Sequence, residues 1–418
     1  MNILVLNAGS SSHKSHLYQL GDSQQGANQT SPQAPLWEAK IDWQQSPPLL
    51  TAKGKGKTVK LELPESEPER ELGSDSKSDR AEAIAQMLHT LHQGETAVLS
   101  ELKEIDAVGH RVVHGGRDYQ QSVWIDEAVR KAIADLIPLA PSHNPANLEG
   151  IQAIDKLLGD IPQYAVFDTA FHSQIPEVAA LYPIPQTWTD LGIRRYGFHG
   201  ISHQYCAHRT AQLLNRPLPD LRLVIAHLGN GCSLSAVRDG RSIDTSMGFT
   251  PMEGLMMGTR SGSIDPGILL YLMREQGYTC EQLDHQLNKA SGLKGVSEIS
   301  GDMRQLQPAI GQGNANAKLA VDMFIYRLTA GIAAMTASLN GLDALVFSGG
   351  MGENAPLIRQ SVCKSLAFLG IEILEERDLE NQGDRIISIP GSNISVLVIH
   401  TQEEWQIAQE YWSLNSSR

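Results

Sequence analysis

The chain has 418 residues, 41% of them hydrophobic, so it can bury more than one core, and two domains or a divided α/β body is the natural expectation. Its 34 basic and 47 acidic side chains leave a formal charge of −13, which argues against a nucleic-acid binder and its basic face. Cys206, Cys232, Cys280 and Cys363 lie far apart without a C-x-x-C pair, which speaks against zinc and for a reduced, cytoplasmic protein.

The opening MNILVLNAGSSS lacks the basic leader and long apolar run of a secretion signal. The longest uncharged stretch, 328–342, falls short of the ~20 residues a spanning helix needs. Residues 2–6 predict a buried strand ended by Asn-Ala-Gly-Ser. Residues 21–79 are rich in Gln, Ser, Pro, Lys and Glu. They predict a polar surface excursion or extended hairpin with strand-like runs at 36–43 and 58–63 and a partly mobile tip near 64–79. Helices are predicted at 127–137 and from Asn144-Pro145 to Gly159, with Asn144 as cap. A strand follows at 164–167, and others at 223–228, 234–237, 344–347 and 395–399. Further helices are predicted at 203–214, 267–275, 318–339, 357–369 and 403–411. The strand–polar turn–strand pattern at 2–14 returns at 223–237, which suggests a duplicated fold.

A phosphate-cradling loop needs exposed backbone N–H groups and small residues. NAGSSS at 7–12, HLGNGCS at 227–233 and SGGMGEN at 348–354 qualify, and each follows a predicted buried strand. One such turn alone is usually just a turn; three together favour a nucleotide. TAKGKGKT at 51–58 imitates a P-loop, but it lacks the first glycine and is followed by the alternating VKLEL rather than a helix. It reads as a lysine-bearing turn.

Phosphoryl transfer asks a protein mainly to position groups and neutralise charge. Arg111, inside VGHRVVHGG, needs an anionic partner, either a ligand or a structural carboxylate. Asp168, in VFDTAFHSQ, stands just past a strand, where α/β sheets place ligand sites; a turn or helix cap is the alternative. His199 lies in RRYGFHGISH, too polar for core and too rich in glycine for a helix. Arg260 sits in TSMGFTPMEGLMMGTRSGSIDP, a long loop of the kind that is usually functional. Lys14 is a possible phosphate contact, while Asp302, Arg304 and the Glu403-Glu404 pair are individually weak signals.

Taken in order, MNILVLNAGSSSHK, GHRVVHGG, LAPSHNPANLEGI, VFDTAFH, RRYGFHGISH, HLGNGCS, GTRSG with IDPG, DALVFSGGMGEN and TQEE resemble the motifs of the acetate kinases, from residue 1 to about 411. The resemblance implies an α/β fold of two duplicated ribonuclease-H-like domains with an interdomain cleft, of the actin-like ATPase superfamily. The N-terminal domain would span 1–168 and be completed by 404–418; the nucleotide-binding domain would span 169–403. The implied reaction is reversible in-line transfer of the ATP γ-phosphoryl group to acetate with Mg²⁺ or Mn²⁺, in a cytoplasmic homodimer.

By motif match, Asp168, His199, Arg260 and Arg111 would be catalytic. Arg111, Val113, Ser142, His143, Phe198 and Pro251 would hold the acid. Lys14, Ser10, Ser12, His227, Leu228, Gly229, Asn230, Gly231, Asp302, Met303, Arg304, Gly350, Met351, Gly352, Glu353 and Asn354 would hold the nucleotide, and Asn7 and Glu403 the metal. The chain departs from the pattern at Ser142, usually leucine, at Ser263, usually aspartate, and at Gln402, usually asparagine or aspartate. A smaller, polar wall at Ser142 would admit a longer acid or a water, so a propionate or butyrate kinase is one rival. A nucleotide switch of the same fold, without a small-molecule acceptor, is the other.

Overall fold

The computed structural model describes residues 1–9, 12–21, 32–64, 76–141, 143–380 and 383–416, with backbone alone at 76–79 and 416. The predicted site residues Ser10 and Ser142, and most of the predicted tip at 64–79, lie outside the described residues. The chain divides into two compact units, Met1–Ala170 with Gln402–Arg418, and Phe171–Thr401.

Unit 1 begins with β1 (Asn2–Ala8), buried from Ile3 to Ala8 as its apolar run dictates. It forms an antiparallel hairpin with β2 (Ser12–Gln19), with Leu4 opposite Leu17. Three more antiparallel strands extend the sheet: β3 (Trp37–Asp42), β4 (Leu49–Gly54) and β5 (Lys57–Glu62). The two strand-like runs are β3 and β5, as the extended-hairpin alternative has it; what is corrected is their place, since the middle of the segment is a buried structural wall rather than a surface excursion. Trp37, Ile41, Leu50 and Ala52 are buried. Each large apolar side chain so buried contributes about 1.5–3 kcal/mol.

The helix α1 (Ser76–His92) covers that wall with Ala83, Ile84, Met87, Leu88 and Leu91, a stripe at helical spacing. The P-loop imitation is a β4–β5 hairpin turn in which Lys55 (φ 49°) and Gly56 (φ 74°) both take left-handed backbone.

On the other side of β1 lie, in parallel, β6 (Ala107–Val112) and β8 (Gln163–Phe167), with the short β7 (Val123–Trp124) antiparallel at the edge. Between them come α2 (Glu127–Asp135) and α3 (Asn144–Leu158). Asn144 is not the cap of α3; His143 is. Asn144 is the first helical residue, fully buried, where its Oδ1 accepts the His114 N–H and its amide donates to the carbonyls of His114 and Ile133. The chain returns to unit 1 at α10 (Glu403–Ser416), whose Ile407 carbonyl accepts from the Tyr164 hydroxyl at 3.0 Å. The Tyr164 ring fills the space where any side chain at position 109 would begin, which restricts that position to glycine.

Unit 2 repeats the plan. After α4 (Gly200–Leu214) its sheet holds β9 (Leu223–Leu228), β10 (Cys232–Arg238), β11 (Arg241–Thr245), β12 (Ala344–Ser348), β13 (Arg385–Ile386) and β14 (Ser395–Val398). The order β11-β10-β9-β12-β14-β13 mirrors β3-β2-β1-β6-β8-β7. Each has three antiparallel strands, two more parallel to the first, and a short antiparallel edge. Shared strand order in both halves establishes the duplication that the repeated strand–turn–strand pattern suggested.

Unit 2 also carries the helices α5 (Pro266–Glu275), α6 (Met303–Gly311), α7 (Ala315–Ser338), α8 (Gly349–Asn354) and α9 (Pro356–Ser365). By length and composition α7 is the one described helix able to cross a membrane. It packs against β9, β10 and β11 and buries Phe324, Leu328, Ile332 and Met335, as a core helix does.

Candidate active site

In unit 1 the predicted residues gather at the carboxyl ends of the parallel strands β1, β6 and β8, where open α/β sheets bind ligands. Arg111 projects from β6 and donates through Nε to Asp168 Oδ1 (2.9 Å) and through Nη2 to Oδ2 (2.6 Å). Its Nη1 donates to Asn7 Oδ1 at 3.1 Å. Three of the five guanidinium N–H groups are thus engaged, leaving two for an anion. The structural-carboxylate alternative for Arg111 is the one seen: Asp168 grips one edge of the guanidinium. Burial opposes the charge of Arg111, but Asp168 and Glu403 outweigh it and hold the group more firmly protonated than usual.

Asn7 Nδ2 donates to Glu404 Oε1 (3.1 Å), and Lys14 Nζ stands 3.8 Å from the same oxygen. The two adjacent glutamates are pushed in opposite directions. Burial dominates at Glu403, and with Glu404 and Asp168 beside it raises its pKa despite Arg111. At Glu404 burial is offset by Lys14, His16 and the Asn7 hydrogen bond, and its pKa is lowered. Val113 is buried with its N–H on Asn147 Oδ1, and His143 caps α3.

In unit 2 the hairpin turn between β9 and β10 is closed by the Gly229 N–H on the Gly231 carbonyl (2.9 Å). His199 precedes α4 in left-handed backbone (φ 58°), a conformation uncommon for non-glycine residues. Its Nδ1 lies 3.0 Å from Ser233 Oγ, and its ring sits 4.3 Å from that of His227. A side chain on Gly231 would begin 3.3 Å from His199 Nε2 and 3.5 Å from Arg260 Nη1. Both groups therefore come close to one point beside Gly231.

Arg260 donates from Nη1 to the Pro251 carbonyl (2.9 Å). Among the described residues no carboxylate pairs with it, and burial lowers its pKa. A largely enclosed guanidinium without a carboxylate is the expected state of a group whose partner is an anionic ligand. Phe198 is buried, with its carbonyl accepting from His172 Nε2 at 3.1 Å.

A cavity of about 810 Å³ is lined by Gly229, Asn230, Asp302, Met303, Arg304, Gly350, Met351 and Asn354. Thr259, Ser300, Gly301 and Gln307 share the lining without having been singled out in the sequence; Ser300-Gly301 directly before Asp302 was the available signal. Asp302 caps α6 and grips the exposed Arg304 at 2.6 Å. His227, Leu228, Gly231, Gly352 and Glu353 do not line the cavity. Leu228 is fully buried, and its backbone lies 3.0 Å from where a side chain on Gly349 (φ 77°) would begin. Glu353 Oε1 accepts from Gly349 N–H and Thr401 N–H, both at 3.0 Å, which ties the start of α8 to the end of β14. Arg359, paired with Asp378 at 2.6 Å, braces the Gly352 and Glu353 carbonyls.

Two supports were not legible in the sequence. Arg195 donates to the carbonyls of Thr245, Ser246 and Met247 and pairs with Glu253 at 2.7 Å. Tyr182 donates to Glu253 and accepts the Phe249 N–H. Together they pin the loop that carries Pro251 and leads to Arg260. Ser263 Oγ accepts the Gly254 N–H and closes the same loop without the usual aspartate.

The duplicated sheet domain, with glycine turns around a nucleotide-sized cavity, is the architecture of the actin-like ATPase superfamily. The acetokinase family profile matches residues 2–409. The acetate kinase of Acaryochloris marina is 56% identical over 409 residues, covering 98% of both chains. That of Rippkaea orientalis is 54% identical over 412 residues, again covering 98% of both. The crystal structure of Porphyromonas gingivalis acetate kinase superposes with a TM-score of 0.87 at 38% identity, covering 99% of both chains. A propionate kinase from Francisella tularensis superposes at 0.84 and 38%, covering 98% of both. This chain belongs to the acetokinase family, and ATP or ADP is its nucleotide substrate.

Proposed function

We propose that the chain catalyses ATP + acetate ⇌ ADP + acetyl phosphate by direct in-line transfer. The observation that carries this reading is the convergence of His199 Nε2 and Arg260 Nη1 beside Gly231, with Arg260 lacking a carboxylate among the described residues. The acetate oxygen forms a bond to the γ-phosphorus as the bond from that phosphorus to the β–γ bridging oxygen breaks, and ADP leaves with the electron pair. Acetate is already ionised at neutral pH, so no proton must be removed. The work is charge neutralisation, which Arg260, His199 and the free edge of Arg111 supply.

Asp168 orients Arg111 rather than acting as a base. Gly229, Asn230, Gly350, Met351 and Asn354, with residues 302–304, hold the nucleotide. Val113, Ser142, His143, Phe198 and Pro251 shape the acid's surroundings, and Lys14, Ser10 and Ser12 contribute on the nucleotide side.

The Asn7 amide oxygen at the end of β1, which already accepts one bond from Arg111, and the Glu403 carboxylate at the start of α10 are oxygen donors of the kind a cation takes. Glu403 has its carboxyl raised by burial and neighbouring carboxylates, and Asn7 offers an amide oxygen. Mg²⁺ needs only one or two protein oxygens when phosphates and water supply the rest. Asn7 and Glu403 would hold it, and it would neutralise phosphate charge.

The test is a kcat/KM series over acetate, propionate and butyrate for the wild type and Ser142→Leu. Acetate should be preferred, with Ser142→Leu sharpening the preference. Each methylene is worth about 1–3 kcal/mol in such a pocket, so some activity on propionate is expected. A preference of more than about tenfold for either longer acid overturns the acetate assignment.

The same reading makes the protein a homodimer. It is supported by α5, which buries none of its residues and leaves Ile268, Leu270, Tyr271 and Met273 exposed. Sedimentation should return twice the chain mass; a monomer at micromolar concentration rejects it.

A further inference from the structure

His203 lies one turn along α4 from His199 and is fully buried. Its Nε2 is 2.7 Å from Ser233 Oγ, while its Nδ1 has no partner among the described residues. Ser233, also fully buried on β10, is 3.0 Å from His199 Nδ1. One hydroxyl therefore links two imidazoles. Burial first, then His172 and His227, keeps His203 neutral, so its ring has one proton to place.

On Nδ1 that proton would be a buried donor facing nothing, which costs about 1–3 kcal/mol. On Nε2 it bonds Ser233 Oγ. The Ser233 hydroxyl proton then turns to His199 Nδ1, the acceptor left to it among the described residues. A neutral His199 that accepts at Nδ1 carries its own proton on Nε2, the atom beside Gly231 and Arg260. The opposite tautomer would present a lone pair to an anion and repel it.

We propose that Ser233, backed by His203, is a positioning residue that fixes His199 as an Nε2–H donor aimed at the transferred phosphoryl group. This rests on the phosphotransfer reading of His199. The relay cannot be replaced by a hydrophobe of the same size, because it acts through proton placement rather than packing.

The test uses the full-length protein labelled with ¹⁵N-histidine. Long-range ¹H–¹⁵N spectra report which ring nitrogen of each histidine is protonated, and His199 is assigned by the signals lost in His199→Gln. The wild type should show His199 protonated on Nε2. In Ser233→Ala the His199 signals should shift to a tautomer mixture, and kcat should fall about tenfold or more while KM for ATP and acid change less than about threefold. Ser233→Thr keeps a hydroxyl and should restore both the spectrum and most of kcat.

The inference is overturned if His199 is protonated on Nδ1 in the wild type. It is also overturned if Ser233→Ala leaves the spectrum or kcat unchanged, or if Ser233→Thr folds but recovers neither. Should Ser233→Ala not fold, the wild-type spectrum and Ser233→Thr still decide. A wild type with the expected spectrum but no kinase activity would instead defeat the functional reading alone.

Discussion

Arg260→Met should lower kcat/KM by about 10³-fold without lowering the melting temperature. The activity loss follows from removing a cation aimed at developing phosphoryl charge, where a single preorganised donor contributes roughly 3–4 kcal/mol. The unchanged stability follows from what Arg260 lacks. It is largely enclosed, burial lowers its pKa, and among the described residues its polar contacts are the Pro251 carbonyl and the Met257 sulfur. Methionine keeps the length of the stem and removes a charge that the fold itself does not neutralise. Steady-state kinetics and calorimetry check the two halves separately. A large drop in melting temperature with modest loss of activity would make Arg260 structural.

The second large effect is the reverse in kind. Asp168→Asn should cost both activity and stability. Asp168 grips two guanidinium nitrogens of Arg111 in a fork that is almost fully enclosed on the carboxylate side. Asparagine keeps the shape but loses the charge and presents an N–H to a cation. Breaking a buried pair costs about 3–5 kcal/mol when a charge is left uncompensated. Here Glu403 offers partial relief, so a loss near the lower end is expected, about 5–10 °C in the melting of unit 1. Misorientation of Arg111 should lower kcat by about 10²–10³-fold. If Asp168→Asn kept near-normal kcat, Asp168 would have no essential charge role, and the Arg111 fork would be mere architecture.

How much of this was legible depended on the kind of signal. The buried strands at 223–228 and 344–347 announce themselves as uninterrupted apolar runs, and the structure places strands at Leu223–Leu228 and Ala344–Ser348. The strand β4 did not announce itself, because Pro47-Pro48 precede it and Lys53-Gly54-Lys55-Gly56 close it, a composition that reads as loop. Only pairing with β3 and β5 makes it a strand. The helix α1 went unassigned for a related reason: its stripe of Ala83, Ile84, Met87, Leu88 and Leu91 begins after a long polar stretch and has little polar–apolar contrast.

At the site, Arg111 and Asp168 were legible separately, but not their fork, since residues 57 positions apart meet only through the parallel pairing of β6 and β8. Glu353 stood in a glycine-rich motif and so looked like a ligand contact. Its carboxylate instead caps backbone N–H groups, a use that only the fold reveals. Ser233 closes the HLGNGCS motif and so looked like part of a phosphate loop; its contacts with His199 and His203 appear only once α4 is laid beside β10.

The most direct test of the central claim is trapping with hydroxylamine. The wild-type protein is given Mg²⁺-ATP with and without acetate, and hydroxamate and ADP are measured together. One acetyl hydroxamate per ADP, with ADP formation dependent on acetate, is the predicted result. ADP formation at the same rate without acetate, and no hydroxamate with it, would show a nucleotide hydrolase and contradict the account.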